Sequence, residues 1–143
     1  MLINNPIKEM ASLDHFIQDE TGTYAGTHLI IDCYDASNID CKKTMEKAFK
    51  LMVDACGATL LHIHVHVFSP SGGLSGVAVL AESHISVHTW PENGYAAFDV
   101  FMCGDAIPSK AVDVIQASFN PQSIRVTELK RGDQVTLTGD VDV

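Results

Sequence analysis

The chain has 143 residues, 46% of them hydrophobic and 19% charged, enough for one domain that buries a core without disulfide staples. Nine Lys+Arg against eighteen Asp+Glu give a net charge of −9, which argues against nucleic acid as a partner, because phosphate binding needs a basic footprint. No apolar run approaches bilayer length, and MLINNPIKEM lacks the basic and apolar segments of a secretory leader. A cytoplasmic protein with no membrane partner and with reduced cysteines is therefore expected.

Residues 1–25 are mixed and polar and read as an N-terminal extension. THLIIDCY (27–34) is strand-like by length and composition. In ASNIDCKKTMEKAFKLMVDACG, Met45, Phe49, Met52, Val53 and Cys56 recur at helical spacing, with Lys43, Lys47, Lys50 and Asp54 opposite. Asn38 or Asp40 can cap this helix, and Gly57 can stop it. TLLHIHVHVF (59–68) alternates strictly, so His62, His64, His66 and Phe68 share one strand face. The turn SPSGG leads to a strand in LSGVAVLA. After the turn PENG, YAAFDVFMC (95–103) is another strand, in which Cys103 shares a face with Asp99. SKAVDVIQASF (109–119) predicts a second helix and SIRVTELK (123–130) a last strand, with a polar tail over 131–143. The order is β-α-β-β-β-α-β. It predicts an α+β two-layer sandwich over 26–130, an antiparallel sheet with both helices on one face. Cys33, Cys41 and Cys56 read as small core residues.

Between LSGVAVLA and PENG lies AESHISVHTW (81–90), in which a carboxylate, a hydroxyl and two imidazoles interrupt an apolar pattern. Ser83 and His88 are five residues apart, so a straight strand would put them on opposite faces. Cooperation between them needs a kink or break, and Glu82-Ser83 then reads as a junction. A nucleophile of Ser83 or Cys103 with His88 as base and Asp99 as orienting group is conceivable, although no G-x-S-x-G elbow is present. The His62-x-His64-x-His66 row suggests zinc, with His88 as a ligand from elsewhere, but alternate residues of one strand spread too far to converge easily. A polar sheet face is the blander reading, and no metal is expected.

GVAVLAESHISVHTWPENGYAAFDVFMCGD resembles the central motif of the bacterial and archaeal S-adenosylmethionine decarboxylase proenzymes. The similarity covers about residues 26 to 130: THLIIDCY matches the first strand, and FSPSGGLSG the segment before the cleavage strand. The resemblance implies a dimerising α/β sandwich that cuts its own Glu82–Ser83 bond. Ser83 Oγ attacks the Glu82 carbonyl to give an ester, and elimination and hydrolysis convert residue 83 into a pyruvoyl group. The β chain then ends at Glu82, and the α chain begins with the pyruvoyl. His88 matches the residue implicated in removing the Ser83 Cα proton, Ser75 the residue assisting processing, and Cys103 the acid that reprotonates the substrate carbon. Phe68 matches an aromatic of the adenine-stacking region.

The chemistry accounts for these residue types. Decarboxylating an amino acid needs an electron sink, which a cofactor normally supplies. A pyruvoyl ketone supplies it from within the chain, by forming a Schiff base with the substrate amine. The implied product is decarboxylated S-adenosylmethionine, the aminopropyl donor of polyamine (spermidine) synthesis, made by a homodimer of processed αβ units. Arginine or ornithine decarboxylases of the same family are the rival reading, with Asp32 and Asp99 as carboxylates for a cationic substrate. Outside the family stand a His-cluster metal hydrolase and a non-catalytic binding domain.

Overall fold

The computed structural model describes residues 17–20 and 22–132, so most of the expected N-terminal extension and nearly all of the tail lie outside the described residues. The elements are β1 (Ile17–Asp19), β2 (Gly22–Tyr24), β3 (Gly26–Tyr34), α1 (Lys42–Cys56), β4 (Leu60–Val67), β5 (Leu74–Leu80), β6 (Ser83–Trp90), β7 (Tyr95–Cys103), α2 (Lys110–Phe119) and β8 (Ser123–Arg131). Strands β3 to β8 form one six-stranded sheet in the order β4-β5-β6-β7-β3-β8, with every neighbour antiparallel. The short β1 and β2 pair only with each other.

Alternation decides which side of the sheet is covered. In β7, Ala96, Phe98, Val100 and Met102 are buried, and the residues between them are half-buried. The same parity buries Leu29, Ile31 and Cys33 on β3 and Ile85 and Val87 on β6. Against this face lie Met45, Phe49, Met52 and Val53 of α1 and Ala111, Ile115 and Phe119 of α2, in one continuous core. The α+β sandwich with both helices on one face is therefore present. Gly57 ends α1 at φ 74, where the lack of a Cβ removes the steric cost. The N-cap is Cys41 rather than Asn38 or Asp40, with no side-chain capping bond, and Cys41 is exposed instead of being a core thiol.

The strand order differs from the β-α-β-β-β-α-β reading in one consequential way. Residues 83–90, read from the sequence as an interruption, are a full strand in the middle of the sheet. Its alternation is hidden because Ile85, Val87 and Thr89 face the helices while His84, Ser86, His88 and Trp90 face the side that α1 and α2 leave bare. Buried Thr89 is satisfied twice: its Oγ1 donates to the Ile39 carbonyl at 2.8 Å and accepts the Leu74 N–H at 2.9 Å. A hydroxyl so paired costs little to bury.

Candidate active site

Two clusters flank β6, one at each end. The first is at its start. Leu80 pairs with Ser83 across a two-residue loop, so Ala81 and Glu82 alone make the β5–β6 connection. Glu82 sits at φ 59, a left-handed backbone that costs a residue with a Cβ about 1–2 kcal/mol. The junction read from the sequence is thus a tight hairpin, and the kink lies before Ser83 rather than between Ser83 and His88. Ser83 Oγ accepts the Cys103 N–H at 3.2 Å, joining the start of β6 to the end of β7. Gly26 lies opposite Cys103, and a Cβ there would come within 2.7 Å of the Met102 carbonyl, so glycine lets β3 close up on this corner. Burial, and after it the Glu82 carboxylate, push the Cys103 thiol above its ordinary value. The thiol is therefore held protonated, as a proton donor must be.

The second cluster is made by the β5–β6 register, which sets Ser75 opposite His88. Ser75 Oγ lies 2.9 Å from His88 Nδ1. Two shallow grooves meet at this pair. One, of about 270 Å³, is lined by Phe68, Ser71, Ser75, His88, Trp90 and Glu92 among others. The other, of about 300 Å³, runs along His64, His66, Val77 and Ser86. Phe68 is 47% exposed and Trp90 41%, so neither is a core aromatic. Trp90, an aromatic just past His88 in the sequence, lines the groove, and Glu92 joins by structure, since only the turn at Pro91–Asn93 brings it back there.

Ser83 and His88 are not brought together. They stand at opposite parity, five residues apart on an unbroken strand, about 16 Å along it at ~3.3 Å per residue. A triad within one chain is ruled out on the same geometry, since His88 meets Ser75 and Asp99 is engaged elsewhere. Arg131 Nη1 donates to His28 Nδ1 at 3.2 Å. Because a guanidinium only donates, His28 keeps its proton on Nε2 and gives it to Asp99 Oδ1 at 2.9 Å. Ser86 Oγ donates to the other Asp99 oxygen at 3.4 Å. Asp32 accepts from the Tyr95 hydroxyl, whose pKa that bond pushes up to about 12. Both carboxylates suggested for a guanidinium substrate thus already have donors. Among the described residues no three His, Cys, Asp or Glu side chains converge, and His62, His64 and His66 stand apart along β4. No helix among the described residues is long and apolar enough to cross a membrane.

Comparison with known proteins places the chain in one family. Residues 27–132 match the family model for S-adenosylmethionine decarboxylase. An S-adenosylmethionine decarboxylase proenzyme of Methanococcus aeolicus is 44% identical over 115 residues, 78% of this chain and 97% of that protein. One from Thermomicrobium roseum is 44% identical over 108 residues, 75% of this chain and 93% of its own. The crystal structure of the adenosylmethionine decarboxylase from Aquifex aeolicus superposes with a TM-score of 0.68 at 36% identity, covering 76% of this chain and 92% of that one.

Proposed function

The chain belongs to the S-adenosylmethionine decarboxylase family, and from that premise we propose that it cuts itself at Glu82–Ser83 and then decarboxylates S-adenosylmethionine. The observation that carries the reading is the corner where Glu82 at φ 59, Ser83 Oγ and Cys103 meet. The residues present fit a pyruvoyl group at position 83: its precursor serine starts a strand, immediately after a strained loop, and is itself partly exposed. Such a group supplies the electron sink that amino-acid decarboxylation needs. Cys103, held protonated, is the donor to the substrate carbon. Phe68 and Trp90 offer flat faces on which adenine can stack. The engagement of Asp32 and Asp99 also weighs against arginine or ornithine.

His88 and Ser75 serve processing and catalysis from a second copy. Within one chain they lie about 16 Å from Ser83, while the uncovered sheet face carries Ser75 and His88 at one end of β6 and Cys103, the neighbour of Ser83, at the other. A two-fold axis through the middle of that face exchanges the ends, so each Ser83–Cys103 corner meets the other copy's Ser75–His88 pair. Ile30, Val79, Trp90 and Leu129 are exposed on this face and would be covered by such packing. A soluble, cytoplasmic homodimer of cut chains follows as part of the same proposal.

Mass spectrometry of the purified protein tests the cut: two chains are expected, the second beginning at residue 83 with a borohydride-reducible ketone. An active preparation consisting only of intact chain would refute it. Release of labelled CO2 from S-adenosylmethionine, arginine and ornithine in parallel tests the substrate. Turnover of either amino acid without turnover of S-adenosylmethionine would refute that part alone.

A further inference from the structure

The β6–β7 ladder pairs His84 with Phe101 at its last regular step. Carried one repeat further, the antiparallel register sets residue 82 opposite residue 103, where the Cys103 N–H would meet the Glu82 carbonyl. The ladder does not get there, because Glu82 turns away at φ 59. The Cys103 N–H instead reaches Ser83 Oγ at 3.2 Å. One backbone donor therefore binds the attacking hydroxyl, and the register aims the same donor at the position the scissile carbonyl would take if the strand ran on.

We propose that the backbone N–H of Cys103 is a processing group, holding Ser83 Oγ against the scissile bond and stabilising the negative charge that forms on attack. The inference rests on the self-cleavage reading and adds a group to it. In the step, the bond from Ser83 Oγ to the Glu82 carbonyl carbon forms. The Glu82–Ser83 C–N bond breaks, and the hydroxyl proton ends on the freed Ser83 amine. Between those events the carbonyl oxygen carries the charge, within a bond length or two of Oγ, so a donor fixed on Oγ needs little movement to serve it. Cys103 then has two separable roles, its amide in maturation and its thiol in turnover. No signal in a side-chain pattern can show the first, since any residue except proline supplies an N–H.

The test changes that one atom group. Full-length Cys103→Ala is compared with the same chain carrying lactic acid at 103, which turns the amide N–H into an ester oxygen and keeps the methyl side chain. The ester-containing chain is expected to cut about 100-fold more slowly than Cys103→Ala, the loss typical of one such donor. Equal rates would overturn the proposal. So would an uncut Cys103→Ala chain in which the native chain cuts, because the thiol would then be the processing group. If the native chain itself never cuts, the maturation reading fails, which is a different result. Should the ester chain not fold, amide hydrogen exchange at residue 103 decides: it should be faster in Ser83→Ala than in uncut Ser83→Thr, and indistinguishable rates would overturn the assignment.

Discussion

The two ends of β6 are built by opposite means. At Ser83 the backbone does the positioning: a strained two-residue loop, an amide from β7 and a close approach at Gly26. At His88 side chains do it, through a register-set contact with Ser75 and grooves walled by Phe68, Trp90 and Glu92. The first end resembles a device that must work once, under strain, on its own chain. The second resembles a surface that must receive something repeatedly. A polar strand can sit at the centre of the sheet because its polar residues face the side that α1 and α2 leave bare.

The largest effect should come from Ser83→Ala, which removes the proposed nucleophile and precursor of the electron sink. Intact chain and loss of all measurable CO2 release are expected. His88→Ala should fold and stall as an ester that hydroxylamine cleaves at Glu82-Ser83; normal processing would remove His88 from this role. The two variants together sharpen the comparison. If each corner borrows His88 from a second copy, co-expressed Ser83→Ala and His88→Ala chains should regain activity in mixed pairs, whereas sites confined to one chain would stay dead.

Cys103→Ala should cut yet lose about 10²–10⁴-fold in turnover, the range for a general acid, with some product diverted into transamination. Turnover should depend on the protonated thiol and fall only as pH rises through its raised value, above the ordinary 9.0. Glu82→Gln removes the smaller of the two causes of that rise and should move the alkaline limb to lower pH. An unmoved limb would assign the shift to burial alone. The smallest effect is expected from Phe68→Ala. Losing one stacking face worth about 0.5–1.5 kcal/mol should raise KM roughly two- to tenfold and leave processing unchanged.

Much of the fold was legible because one face of each strand is covered: the alternation of 95–103 and the helical spacing of Met45, Phe49, Met52 and Val53 report that cover directly. β6 was harder, since its bare face carries histidines, a serine and a tryptophan, and they masked the apolar parity of Ile85, Val87 and Thr89. The motif around Ser83 supplied the candidate residues, but not which of them meet. Ser75 and His88 join through hairpin register, and His28 and Asp99 join across 71 residues of sequence. Exposed Leu61, at 64%, shows the same limit: a register shift between Leu60 and His62 takes it out of the alternation that seemed to bury it.

The place of the proposed cut also matters for what would happen to the two pieces. The N-terminal piece contributes β3, β4 and β5 to the sheet, and the C-terminal piece β6, β7 and β8. In the order β4-β5-β6-β7-β3-β8, however, β3 is seated between β7 and β8. The fragments are therefore laced together, three ladders crossing the severed boundary where a simple end-to-end division would leave one. A cut at that point would leave each fragment held by strands of the other. Heat or denaturant must instead dismantle the sheet as a whole. Once apart, the pieces must find each other by diffusion, without the tether that first brought β5 to β6. Maturation should make the molecule easy to keep and hard to rebuild.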